Sequence, residues 1–537
     1  MRKTVVLILV ALSLLLATPT AAWATAGWVA QTSPTTNTFF GVDTASFTVT
    51  ATVKPTLTSF SPASAAVGAT VTLTGKNLTG ASKVTFNGVS AKLTVKSATQ
   101  ITATVPNGLS SGKIAVTTPG GTATSAASFI ATGWHTQTSG VPANTNLSGV
   151  AFANTADGWA VGYNGSTLAS VILATTNGGA SWKAQSSGTV ADSFLYGVAF
   201  ANSSDAWAVG VSTDEMGNAD SLILATTNGG ATWKAQSSPL VEGTGALMGV
   251  AFANARDGWA VGPGIVATTN GGAAWTAQIS MTPNDLWSVA FANSSDGWAV
   301  GQDTNTAASV ILVTSNGGAG WKAQSSGALA DTELLSVAFA NASDGWAMGL
   351  NMGTAASVIL ATTNGGATWK AQSSGALADT SLNGVAFAGA SDGWAVGYNS
   401  STHASVILAT TNGGATWRAQ NSGMPANTGL NHVAFANASD GWAVGGGTIL
   451  ATTDGGYLAP TLSSFTPTSA AGGATVTLTG KNLVGASKVT FNGVSAKFIV
   501  ASATKITATV PSGATSGKIA VTTPGGTATS TASFTVK

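Results

Sequence analysis

The chain has 537 residues, 44% of them hydrophobic and only 7% charged, with 20 Lys and Arg against 19 Asp and Glu and no cysteine at all. Disulfide staples and thiolate metal sites are therefore excluded, and stability has to come from packing and strand pairing. The length leaves room for several domains, and with so little charge, solubility rests on Ser, Thr, Asn and Gly.

Residues 1–26 have the form of a secretory leader: Arg2 and Lys3, an apolar run over 4–17, then small residues with Ala-Trp-Ala ending at Ala24. The run is short for a membrane span, so cleavage near Ala24 or Ala26 and export are expected, with no membrane span left afterwards. Residues 27–54 read as an N-terminal extension in which GWVAQTS, from Gly27, echoes one strand of the repeat described below.

Residues 55–131 and 460–537 are near copies, each with GATVTLTGKNLxGASKVTFNGVSAK, ITATVP and SGKIAVTTPGG. Short alternating strands separated by Gly, Pro and Asn predict an immunoglobulin-like sandwich at each end. The P-x-x-x-x-F-x-P-x-S openings (55–64 and 460–469), the G-x-x-V-T-L-T-G-x-N-L core and the V-x-F-N-G-V hairpin resemble the IPT/TIG family. In exported bacterial proteins, that resemblance implies spacers or binding modules without catalysis.

Between them, residues 132–459 repeat one phrase seven times, seen cleanly over 382–417 as LNGVAFAGASDGWAVGYNSSTHASVILATTNGGATW. Its first tryptophans (159, 207, 259, 298, 346, 394, 442) are 48 residues apart in four of six intervals, with one interval of 52 and one of 39. A period of this size means blades or a solenoid. GVAFA, WAVG, SVILATT and WKAQSS read as four strands, and the Asn, Asp and Gly of NASDG and NGG supply tight turns. Four strands per unit and seven units predict a seven-bladed β-propeller, so the whole chain is all-β, a propeller flanked by two sandwiches. TTNGGATW resembles the Asp-box of sialidase-type (BNR) propellers, with Asn at 177, 228, 270, 316, 364 and 412 where the family has Asp, and Asp454 alone keeping the acid. With DGWAVG, the repeat resembles the photosystem II assembly and stability factor family, whose bacterial relatives are often secreted proteins of unknown role.

The seventh copy stops at Tyr457 and lacks its fourth strand, while GWHTQTSG from Gly133 is a surplus one ahead of the first copy. Residues 134–139 are therefore expected to close the ring against 449–453, because an open ring would leave two unpaired edges. In a four-stranded meander the NASDG and NGG turns share one rim. The loops between second and third strands and between blades share the other, and they carry most of the variation; binding surfaces sit on such loops.

Candidate residues on that variable side are Tyr163, Tyr196, Asp214, Glu215, Asp220, Glu242, Trp287, His403 and His432. Trp287 is singled out as the propeller tryptophan outside both motifs and outside the closing strand, placed to stack on a sugar or to pack at the rim. The repeated Asp of DGW reads as a turn acceptor rather than a ligand ring, and the repeat tryptophans as blade core. Asp214, Glu215, Asp220 and Glu242 form an acidic cluster without D-x-D-x-D-G spacing, hence a solvated loop rather than a calcium site. The three histidines, at 135, 403 and 432, lack zinc spacing.

Only Arg256 and Arg418 remain in the mature chain, against the three arginines a sialidase uses on its substrate carboxylate. No carboxylate pair suited to a glycosidase is recognisable, so no catalytic residue, cofactor or metal is expected. The sandwiches hold five and six lysines and no acid, the ring six basic residues against eighteen acids. Basic modules and acidic ring could contact each other or an anionic wall polymer. The expectation is a secreted or cell-surface recognition or adhesion protein with a protein or polysaccharide partner rather than a nucleic acid. The alternatives are a polysaccharide-binding or glycoside-hydrolase-like protein and a structural surface-layer component.

Overall fold

The computed structural model describes residues 53–537 except 66–67, 107–111, 132, 138–139, 189–191, 215, 241–242, 244, 279–283, 328–329, 374–377, 421, 423, 425–426, 458–459, 484–485, 503 and 524. The leader and residues 27–52 of the N-terminal extension lie outside the described residues. Every regular element among the described residues is a strand.

Each terminal domain is a sandwich of a four-stranded and a five-stranded sheet with the same strand order. In the first, TVTLTGK alternates outward Thr with inward Val71 and Leu73, the period that gives a strand one buried face. Those side chains meet Val84, Phe86, Ile101, Ile114, Val116 and Phe129 in a closed core. The second builds its core from the corresponding residues, Val476, Leu478, Phe491 and Phe534 among them.

Seven four-stranded antiparallel sheets follow the repeat. In blade one the strands are Thr145–Phe152, Gly158–Asn164, Ser170–Thr175 and Lys183–Gln185. The first strands of neighbouring blades touch all the way round, including blade one against blade seven, so they form the innermost ring and the structure is a closed seven-bladed propeller. Blade seven takes its outer strand from ahead of blade one: His135–Gln137 pairs antiparallel with Ile449–Ala451. This is the closure expected from the surplus GWHTQTSG.

Blade stacking is carried by an aromatic contact across each interface, braced by a second one within the blade. In blades one, three, four, five, six and seven, the Phe ending the first strand lies flat on the preceding blade's DGW tryptophan, as with Phe387 on Trp346 at 3.4 Å and 8°. The same ring meets its own blade's outer tryptophan edge-on, Phe387 to Trp417 at 5.9 Å and 88°. The glycine of DGW makes room for it: a Cβ on Gly393 would stand 2.3 Å from the Phe387 ring. Blade two has Ala206 there, and its Phe200 is tilted 51° from Trp159, with centroids 4.5 Å apart.

Outside the stack runs a belt of side-chain hydrogen bonds. Each outer-strand tryptophan donates its indole N–H to the outer-strand Gln of the preceding blade: Trp182 to Gln137, Trp233 to Gln185, Trp275 to Gln236, Trp321 to Gln278, Trp369 to Gln324 and Trp417 to Gln372. Trp134 of the closing strand completes the circle on Gln420 at 2.7 Å.

Candidate functional site

Each copy of the repeat carries Leu-x-x-Val-Ala-Phe on or just ahead of its first strand, and in five blades the sheet register slips between the Leu and the Val. In blades one, two, four, five and six the slip falls at Ser148, Tyr196, Trp287, Leu335 and Asn383. In blades three and seven, Met248 and Asn431 occupy the same place and donate their backbone N–H to Val261 and Val444 at 2.7 Å. Such a bulge removes one residue from the ladder and re-aims its side chain. All seven line a central cavity of about 770 Å³ walled by the first strands of the blades.

Around that cavity the chemistry is divided. Blades two to five present Tyr196, Met248, Trp287 and Leu335, an aromatic and apolar arc. Blades six, seven and one present Asn383, Asn431 and Ser148, an amide and hydroxyl arc, joined by His432 one residue beyond Asn431. The amides are anchored: Asn383 donates to the Leu430 carbonyl at 2.9 Å and Asn431 to the Leu147 carbonyl at 2.8 Å. Tyr163, on the second strand of blade one, accepts a hydrogen bond from Asn146 at 2.8 Å and packs edge-on against Phe194. Burial, reinforced by Tyr163, pushes the Tyr196 phenol above its ordinary range.

Two buried polar atoms at this wall have no protein partner, the indole Nε1 of Trp287 and Nδ1 of His432. The His432 ring also bonds the Val150 backbone, while burial holds its pKa below 6.5, so the imidazole is neutral at pH 7. Among the described lining residues none carries a formal charge.

Of the nine residues singled out in the sequence, the cavity gathers Tyr163, Tyr196, Trp287 and His432. Trp287 is thus a half-buried wall of the channel, not an exposed indole. Asp214, Asp220 and His403 are absent from that wall and are engaged locally. Asp214 accepts from the N–H groups of Met216 and Asn218 and from the Asn218 amide, which hold its carboxyl below the usual range. Asp220 accepts from the Gly243 N–H at 2.8 Å, and His403 bonds the Tyr398 hydroxyl at 2.8 Å. Glu215 and Glu242 lie outside the described residues. Among the described residues no group of three or more His, Asp or Glu is placed to hold a metal.

Ser148, Met248, Leu335, Asn383 and Asn431 lie on the first strands or just ahead of them, away from the loops on which the sequence places its candidates. A signal for them exists: Leu, Val, Ala and Phe are the same in all seven copies of the first strand, and the residue after Leu takes six different types.

The expected turn and hairpin roles are visible. Asp157 accepts from the Asn154 amide at 2.9 Å. In the Asn-containing box Thr175 bonds both Asn177 and the Gly179 N–H, while Asn177 accepts from the Ser181 N–H. Asp454, the single acid in that place, accepts instead from the Gly133 N–H through both oxygens, at 2.9 and 3.1 Å.

Comparison with known proteins agrees with this architecture. Residues 55–130 and 460–536 match the IPT/TIG domain family, and residues 326–426 match the family described as photosynthesis system II assembly factor YCF48. The ends are IPT/TIG domains, and they flank a propeller with YCF48-like repeats. No curated protein matches the chain. Similar solved structures include YCF48 bound to D1 peptide (18% identity, 60% of this chain and 96% of that one, TM-score 0.45) and YCF48 from Cyanidioschyzon merolae (18%, 60% and 98%, 0.45). The GH74 enzyme of Niastella koreensis is also similar (13%, 75% and 74%, 0.44). At these scores the propeller assignment rests on strand pairing.

Proposed function

We propose that this is an exported, non-catalytic recognition protein, acting outside the cell or at its surface, whose binding site is the mouth of the propeller channel. The observation that carries the reading is the ring of residues that follow the first-strand Leu: between an invariant Leu and an invariant Val-Ala-Phe this position varies from blade to blade, and all seven copies line one cavity. A repeat that needed only to close its ring would have no use for Tyr, Met, Trp and Leu on one arc and Asn, Asn and Ser on the other. The wall offers aromatic faces, anchored amides and a neutral imidazole, groups that hold a ligand rather than cleave it. Export is read from residues 1–26, and the two sandwiches serve as lysine-bearing spacers beside an acidic ring.

The test uses the purified full chain against extracellular polysaccharides and surface proteins, with a reducing-sugar assay run in parallel. Binding without turnover, lost when Tyr196 and Trp287 are both changed to Ser, is the expected result. Turnover of any polysaccharide, or binding indifferent to both changes, would contradict it. N-terminal sequencing of protein recovered from culture medium checks export, with the mature end expected near residue 25 or 27.

A further inference from the structure

On the reading just proposed, we infer that the channel mouth takes a neutral carbohydrate, seated with the apolar face of a sugar ring toward Trp287 and its hydroxyls toward Asn383, Asn431 and His432. A pyranose has one face of C–H groups and a rim of hydroxyls, and the mouth is divided in the same sense, aromatic over blades two to five and polar over blades six, seven and one. The π-face of an indole is electron-rich and attracts C–H edges, so Trp287 is the stacking platform and Tyr196 flanks it.

The unpartnered atoms point the same way. A buried donor or acceptor without a partner costs about 1–3 kcal/mol, and two cavity-lining residues each hold one: the Trp287 N–H, which can only donate, and a ring nitrogen of neutral His432. They stand on opposite arcs, in blades four and seven. A hydroxyl both donates and accepts, so one ring rimmed with hydroxyls can serve both sides. Charge argues against an anionic sugar or a charged peptide: no described lining residue is ionised at pH 7 to receive it, and a buried unpaired charge is costly. An extended peptide also brings backbone N–H and C=O groups along its whole length, while side-chain amides occur on one arc only. The cavity volume of about 770 Å³ falls within the roughly 300–1,000 Å³ of small-molecule sites, wide enough for a chain end.

The experiment is titration of the full chain with neutral gluco-, manno-, galacto- and xylo-oligosaccharides, with uronic-acid and sialylated oligosaccharides and a peptide panel as comparators. A neutral oligosaccharide is expected to bind. Trp287→Ala should weaken it by at least about tenfold, and Trp287→Phe, which keeps a flat ring and drops the N–H, by less. Trp287→Phe also guards against a Trp287→Ala chain that does not fold. Absence of binding by every neutral oligosaccharide would overturn the inference, as would neutral binding unmoved by either change. If peptides or anionic sugars bind instead, and Trp287→Ala abolishes that binding, the carbohydrate assignment falls while the channel mouth stands as the binding site. If they bind irrespective of Trp287, both fall.

Discussion

At the scale of single residues, the fold depends on a few places where one atom more or fewer changes a contact. Gly393 is such a place, since an added methyl would overlap the Phe387 ring and displace it from Trp346. Gly393→Ala is expected to destabilise by about 1–3 kcal/mol, the usual cost of overpacking, measured by chemical denaturation. The reverse change, Ala206→Gly, should let Phe200 lie flat on Trp159 and be neutral or stabilising despite glycine's entropic cost; equal loss in both variants would refute the steric account. Asp454→Asn removes one of two oxygens accepting from Gly133 and should lower the melting temperature, whereas Asn412→Asp, at the matching place in blade six, should not.

Protonation also acts residue by residue. Burial holds His135 and His432 below 6.5, so the unfolded chain binds protons that the native sites refuse. Stability from these two groups is therefore lost as pH falls below 6.5 and levels off below their folded values. Asp454, Asp392 and Glu333 are shifted upward, mainly by burial, and act in the opposite sense: they lend stability as pH falls through their raised values toward the carboxylate range. Between pH 7 and 6 the histidine effect should dominate, and a His135→Gln, His432→Gln chain should show a flatter dependence of unfolding free energy on pH than the parent.

At the scale of elements, the Trp-x-x-Gln strand is the fastener. Seven such strands link blade to blade in a circle, and the link at the seam belongs to the surplus strand, His135–Gln137. Trp134→Ala removes a buried aromatic and the Gln420 bond together and should cost about 3–5 kcal/mol. Gln137→Ala should cost nearer 1 kcal/mol, because strand pairing remains. Both are read by denaturant midpoint. The strands, the blade count and the seam were legible in the sequence because each has a local sign: alternation, turn residues, and one copy missing where another is spare. The belt was less legible, since a Gln at fixed spacing says nothing of the indole it meets one blade away. The candidate site was half legible. Tyr163, Tyr196, Trp287 and His432 were among the candidates on the variable side, but Met248, Leu335 and the Asn pair were not. Their sign in the sequence is only a variable residue between an invariant Leu and Val, because a register slip itself has no composition of its own, while the loop residues Asp214 and Asp220 fasten their own backbones.

At the scale of the whole molecule, a closed ring gathers seven variable residues around one central cavity, and the two basic sandwiches precede and follow it in the chain. On the proposed reading, side chains preset by the closed ring lose less ordering entropy when a ligand binds. The charge division, six basic residues against eighteen acids in 132–459 and eleven lysines without an acid in the two sandwiches, implies that added salt should weaken any attachment made through the sandwiches and leave channel binding unchanged. Attachment to an anionic wall polymer measured at low and high salt, with and without the sandwiches' lysines changed to Gln, checks this.

The most direct measurement concerns the mouth itself. Tyr196, Met248, Trp287 and Leu335 are all replaced by Ser, the blade-one residue at the same position, and binding to neutral oligosaccharides and extracellular polysaccharides is compared with the parent chain alongside both melting curves. The account predicts a folded ring that has lost its binding. A folded variant that binds as well as the parent would show that the channel mouth is not where this protein recognises anything.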